Sequence, residues 1–270
     1  MRIALSFLTR IPMGRIETPD YMRDLGRAAG FFPLVGLLVG AFCSIAWLAG
    51  RLLFGPAVAG VSAVAAGLGA TGAIHLDGLM DAADGLLSAR SRDRMLEIMK
   101  DSRVGVMGAA AGALALMLRW ALLLELTPPR AATALLVAPA VGRMVIPLAA
   151  VRWPPARAEG MGAAFGRHVG GAQLAGALLG GLTLAVGVPG LLAWWGQGPA
   201  APPGLTAAVT VSALRGLGAW LAALGVGLAG GRWLSRRLGG LTGDTYGALC
   251  ELAELAAIAC FALQTGRWTG

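Results

Sequence analysis

No acidic or basic side chain occurs between Phe54 and His75, and six further stretches of the chain are nearly as apolar. A helix of about 20 such residues crosses ~30 Å of hydrocarbon. In lipid every backbone amide must be bonded within its own segment, so these stretches are constrained to helices. Seven candidate spans follow: 28–50, 54–74, 104–126, 131–151, 172–195, 205–229 and 247–265. The expected fold is all-α, a polytopic membrane bundle of about seven transmembrane helices plus short interfacial helices. It forms a single membrane-embedded domain over residues 1–270. Composition agrees, because only 13% of residues are charged and the mean hydropathy is +0.71, whereas soluble domains carry about 25% charge. The 42 glycines suit closely packed membrane helices.

The basic residues then orient the bundle. Sixteen fall in four segments: the N-terminal tail (Arg2, Arg10, Arg15, Arg23, Arg27), the loop after span two (Arg90, Arg92, Arg94, Lys100, Arg103), the loop after span four (Arg152, Arg157, Arg167) and the loop after span six (Arg232, Arg236, Arg237). Only Arg51, Arg130 and Arg267 fall in the alternate segments. The positive-inside rule places the first set in the cytoplasm, with the N-terminus inside and the C-terminus outside, in a cell (inner) membrane. Tryptophans at 47, 120, 153, 194, 195, 233 and 268 lie near span ends, as interfacial aromatics do. A net charge of +8 spread over four loops reads as topology and contact with the bilayer, and no nucleic-acid partner is expected. Arg10 and Pro12 interrupt the first apolar run, so the start reads as a short amphipathic interfacial element and not a cleaved signal. Cys43, Cys250 and Cys260 read as buried thiols.

Chemistry enters with Asp77, Asp81 and Asp84. On a helix, spacings of four and three put these carboxylates within an arc of roughly 60°. Like charges on adjacent turns repel, and near a bilayer the cost rises. Oxygen-only ligands on one face suit a hard divalent cation, Mg²⁺ or Mn²⁺, that can also take substrate phosphate. Helix signals continue past Gly85 to Asp101, whose carboxylate stands at the mouth of the third span and joins the expected metal set. A second polar cluster, Gly239-Gly-Leu-Thr-Gly-Asp-Thr-Tyr-Gly247, leads into the last span with Glu251 and Glu254 on its first turns. It adds Asp244 as a metal ligand, and Thr242 and Gly243 at a helix start that can receive phosphate. The basic, glycine-rich loop 154–168 could order on a phosphate. Arg119, Arg143 and Arg215 lie within apolar spans, where charges usually face a polar interior. Arg103 and Arg143 are the expected phosphate clamps. His75 lies on the far side of its helix from the aspartates, and neither it nor His168 has a partner at zinc-ligand spacing.

Six stretches together resemble the cobalamin synthase family: Phe7-Leu-Thr-Arg-Ile-Pro12, Phe32-Pro-Leu-Val-Gly36, His75-Leu-Asp-Gly-Leu-Met-Asp-Ala-Ala-Asp-Gly85, Leu96-Glu-Ile-Met-Lys-Asp-Ser-Arg-Val-Gly105, Glu159-Gly-Met-Gly162 and Gly239-Gly-Leu-Thr-Gly-Asp-Thr-Tyr-Gly-Ala248. The likeness runs in order from residue 3 to about 255, with small departures at Val104, Val106 and Met107. It implies an adenosylcobinamide-GDP ribazoletransferase of the membrane. That enzyme joins adenosylcobinamide-GDP with α-ribazole, or its 5′-phosphate, and releases GMP with Mg²⁺. The expected partners are therefore a corrinoid nucleotide, α-ribazole and the lipid bilayer, and a homo-oligomer is compatible with this reading. Asp81 and Asp84 are the expected catalytic pair within the metal set.

Two other readings stay open on the residues alone. A CDP-alcohol phosphotransferase or prenyltransferase also gathers aspartates at helix ends, but Asp81 is followed by Ala-Ala-Asp and not by the former's pattern. A transporter would carry its acids near the midplane and show repeats. Here the acids sit at the cytoplasmic ends, and no repeat is visible.

Overall fold

The computed structural model describes residues 1–196 and 205–263. Arg267, Trp268, Gly198 and the end of the expected seventh span at 265 lie outside the described residues. Among the latter there are twelve α-helices and no strand. The short ones are α1 (Arg2–Leu8), α2 (Tyr21–Ala28), α6 (Arg92–Ile98) and α9 (Met161–Gly166). The long ones are α3 (Phe32–Leu53), α4 (Pro56–Thr71), α5 (Ile74–Leu87), α7 (Val106–Leu124), α8 (Pro128–Arg152), α10 (Gly171–Trp195), α11 (Leu205–Leu238) and α12 (Gly243–Ala262). Six segments are long and apolar enough to cross a membrane, or seven if α4 and α5 count as one broken span.

The expected spans map onto these helices with three corrections. Span two is not straight: α4 and α5 meet at 91°, because Gly72 and Ala73 both take left-handed backbone angles (φ 63° and 58°), which end a right-handed helix. The helix expected to run on from Gly85 to Asp101 stops at Leu87, and Ala89 (φ 53°) turns the chain before α6. The last basic "loop" is helical, since α11 extends through Arg232, Arg236 and Arg237 to Leu238.

Helix α8 is the central post, buried along nearly its whole length, with α12 the next most enclosed. Around α8 stand α3, α10, α11 and α12. Small residues set these distances. A Cβ on Gly36 of α3 would come within 2.6 Å of the Ala140 Cα on α8. Pro139 has no N–H to give the carbonyl of Leu135, and Gly40 of α3 packs directly on that carbonyl.

Helices α8 and α12 run antiparallel. The end of α8 (Ile146) and the start of α12 (Gly243, Asp244) share one cavity, whereas the start of α8 (Thr127, Pro129) and the end of α12 (Phe261) share another. Phe7, Asp77, Phe165 and Asp244 line the first. The four segments richest in arginine therefore converge on one end of the bundle.

Gly36→Val should lower the unfolding temperature in detergent, because overpacking a tight helix crossing costs about 1–3 kcal/mol. Gly69→Ala on α4, where a Cβ meets nothing within 4 Å, is the control and should leave the unfolding temperature unchanged or raised. Equal melting of the two variants would show that the α3–α8 crossing is not tight.

Candidate active site

Helix α5 carries Asp77, Asp81 and Asp84 on one side, as the spacing requires, and α12 opens on Asp244. A glycine on each helix brings them together. A Cβ on Gly78 would lie 2.6 Å from the Asp244 carbonyl oxygen, and one on Gly247 would lie 3.1 Å from that of His75. With the backbones this close, the charges of Asp77, Asp244 and Asp84 all act on Asp81. Asp77 is exposed, while Asp81, Asp84 and Asp244 are half-buried. Of these four carboxylates, Asp77 and Asp244 line one cavity, and Asp84 turns to the start of α7.

Asp84 has a second duty that its spacing did not reveal. Its carboxylate accepts the backbone N–H of Gly105 (2.8 Å) and of Gly108 (2.7 Å), the N-cap and N3 positions of α7. It therefore caps another helix across the structure, satisfying two of the amides that a helix start leaves unbonded. A Cβ at either glycine would collide with it.

The start of α12 is built by its own cap. Thr242 accepts the N–H of Thr245 and donates to the Asp244 carboxylate at 3.2 Å, and Thr245 bonds back to the Thr242 carbonyl. Gly243 lines the cavity. A Cβ on the preceding Gly240 (φ 154°) would lie 2.6 Å from the Ala156 nitrogen. There the Leu241 N–H donates to the Pro154 carbonyl and the Leu241 carbonyl accepts the Ala156 N–H. Arg92 locks the same corner, donating to the carbonyls of Leu238 (2.7 Å) and Ala156 (2.8 Å).

A cavity of about 240 Å³ opens between these elements, lined by Asp77, Gly78, Gly243 and Asp244 on one side. Its other wall is aromatic. Phe7 stacks on Phe165 at 6.3 Å, and Tyr246 meets Phe165 edge-on at 6.4 Å.

Two expected phosphate ligands are elsewhere. Arg143 is buried to 2% exposure, pairs with Glu254 and donates to the Pro139 carbonyl. Nine residues, about 13 Å of helix, separate it from Arg152 at the helix end, so it stays in the core. Arg103 and Asp101 clamp each other on the surface, with Nε to Oδ1 at 3.0 Å and a terminal nitrogen to Oδ2 at 2.6 Å. That contact holds the Asp101 carboxyl at about 2. Asp101 is not among the carboxylates coupled to Asp81.

Arg157, which in the sequence counts only among the basic residues that orient the bundle, has a place near the site. Arg157 is the cation coupled to Asp244. It donates to the Leu96 carbonyl at 2.7 Å, and its Nε is buried with no partner.

A second charged cluster lies deeper. Arg119 on α7 pairs with Glu251 (2.6 Å) and Glu254 (3.1 Å), and Glu254 pairs with Arg143. Two cations and two anions balance. Contrary to the expectation for His75, α12 does bring it partners: its ring and the Cys250 and Glu254 donor atoms lie within 4.8 Å of one another. Some 175 residues separate His75 from Cys250, a distance no local spacing bridges.

Compared with known proteins, residues 1–262 match the family model described as cobalamin-5-phosphate synthase. The chain belongs to that family. Among curated relatives, a protein of Roseiflexus sp. (strain RS-1) is 40% identical over 97% of this chain and 88% of its own length. One of Desulfitobacterium hafniense (strain Y51) is 40% identical over 94% and 92%, and one of Ectopseudomonas mendocina (strain ymp) is 38% identical over 97% and 98%. Each is named adenosylcobinamide-GDP ribazoletransferase. No solved structure gives a significant match. The cobalamin-5-phosphate synthase assignment fits a membrane bundle whose carboxylates gather at one end.

The balanced cluster yields a stability prediction. Glu254→Gln leaves Arg143 without its buried counter-charge, which typically costs about 3–5 kcal/mol. The double variant Arg143→Leu/Glu254→Leu should melt higher in detergent than the single one. A single variant as stable as the parent would mean the pair contributes nothing.

Proposed function

We propose that this chain is an adenosylcobinamide-GDP ribazoletransferase working at the cytoplasmic face of the inner membrane. The observation that supports the reading is the close approach of α5 and α12, with Asp77 and Asp244 on one cavity and the charges of Asp77, Asp84 and Asp244 acting on Asp81, in a family whose relatives bear that name. The donor set, all carboxylate oxygen with one nearby arginine, fits Mg²⁺ and does not suit a soft metal. Asp77, Asp81 and Asp244 would hold the ion, and Asp84 would add what its two amide bonds leave over. When bound, Mg²⁺ offsets the charge of a diphosphate and of the departing phosphate oxygen.

The chemistry then divides among residues of the chain. A ribose hydroxyl oxygen of α-ribazole forms a bond to the corrinoid-side phosphorus, and the bond from that phosphorus to the bridging oxygen breaks. GMP departs with the bridging oxygen. A carboxylate of the set accepts the hydroxyl proton. Arg157 replaces Arg103 and Arg143 as the cation for this end of the bundle, because its charge acts on Asp244 while Arg103 and Arg143 are held by Asp101 and Glu254. Gly243, the first residue of α12, lines the same cavity at a helix start that favours phosphate, whereas the Thr242 amide is taken by the Thr245 hydroxyl. The aromatic wall of Phe7, Phe165 and Tyr246 suits a flat, apolar heteroaromatic base.

Asp81→Asn should fold and insert normally yet lose at least 90% of product formation at saturating Mg²⁺, scored as cobalamin and GMP from adenosylcobinamide-GDP and α-ribazole. Asp84→Asn should lose both activity and thermal stability, because it also caps α7. Purified parent protein that makes no product from these substrates would end the assignment. An Asp81→Asn enzyme keeping more than a tenth of the rate would remove Asp81 from the ligands.

The sidedness is tested separately with single cysteines at Ser91 and Gly198 and a membrane-impermeant thiol reagent. Position 198 should label from outside intact cells and position 91 only after permeabilisation. The opposite pattern would put the carboxylates on the outer face.

A further inference from the structure

At the end of the bundle away from the carboxylates lies a second cavity, of about 400 Å³, between the start of α8, the end of α10 and the first third of α11. Arg130 and Arg215 both line it, and their like charges act on each other. Neither forms an ion pair with a carboxylate among the described residues. The rest of the lining is mostly apolar, with Pro189, Leu192 and Phe261, and three hydroxyls from Thr127, Thr133 and Ser212. Thr133 donates back to the Pro129 carbonyl.

Two arginines at one mostly apolar crevice repel each other, and an anion between them relieves that repulsion. Deeper in the bundle Arg119 has Glu251 and Glu254, and Arg143 has Glu254. An anion drawn to this crevice must tolerate an apolar wall. The start of α8 and the end of α12 place this crevice one membrane thickness from the carboxylates, since 25 residues of α8 span about 37 Å. That is headgroup depth in the opposite leaflet.

We propose that Arg130 and Arg215 form a binding site for the phosphodiester of an anionic glycerophospholipid in the leaflet opposite the carboxylate cavity. The guanidinium groups take the phosphate oxygens, and the groove between α8, α10 and α11 receives the upper part of an acyl chain. Anionic headgroups are favoured over zwitterionic ones because no carboxylate lines the site to pair with a positive headgroup.

Native mass spectrometry of the detergent-purified full chain, titrated with dioleoylphosphatidylglycerol, dioleoylphosphatidylcholine or inorganic phosphate, tests this. The parent should retain one phosphatidylglycerol per chain in preference to phosphatidylcholine, and millimolar phosphate should not displace it. Arg130→Gln/Arg215→Gln should weaken phosphatidylglycerol retention by roughly 25-fold, since each basic residue near an anionic surface contributes about a five-fold factor. Transferase activity should be retained. If the double variant does not fold, Arg130→Gln and Arg215→Gln singly should each show about the five-fold loss. Equal retention by parent and folded variants would overturn the proposal, as would no preference over phosphatidylcholine. Displacement by inorganic phosphate would assign the arginines to a soluble anion instead.

Discussion

The close approach of α5 to α12 decides what this protein can do. Neither helix carries a complete site. Three carboxylates on α5 would repel one another with nothing to answer them, and Asp244 on α12 alone would be one acid of a helix cap. Glycine at 78 and 247 removes the side chains that would hold the two backbones apart, and four acids from distant parts of the chain then share one electrostatic environment. Small residues at a membrane crossing usually serve packing alone. Here the same contact also assembles the chemistry.

The bundle treats its buried charges in two opposite ways. In the middle, Arg119, Arg143, Glu251 and Glu254 neutralise each other completely, tying α7, α8 and α12 together away from water. At the carboxylate end the negative groups outnumber the arginine coupled to them. The contrast is informative because both sets lie on α12, within about three turns of each other. A helix able to supply matched partners at Glu251 and Glu254 lacks them at Asp244, and that surplus negative charge is the property a divalent cation and a diphosphate need.

Much of this was legible in the order of residues. Apolar run length gave the spans, and arginine placement correctly grouped four loops that the fold brings to one end. The 77, 81, 84 spacing gave one helix face. What spacing could not convey was depth and competition. Arg143 was expected at the site, but it lies too far down α8 and is claimed by Glu254. Arg103 was expected to hold phosphate, yet a carboxylate two residues away already holds it. Asp84 looked like one more acid, while its contact with the amides of α7 depends on a turn at Ala89 whose left-handed angle is rare for alanine. Arg157 counted only toward orientation because a loop of prolines and glycines gives no periodicity from which to read direction.

The right-angle break at Gly72 and Ala73 has a mechanical consequence for the bilayer itself. It leaves α4 only 16 residues long, about 24 Å at 1.5 Å per residue. That is shorter than the hydrocarbon it must cross, and a short helix is accommodated by thinning of the surrounding lipid. A bilayer matched to that length would be thinnest where α5 folds away, on the same side of the bundle as the carboxylates.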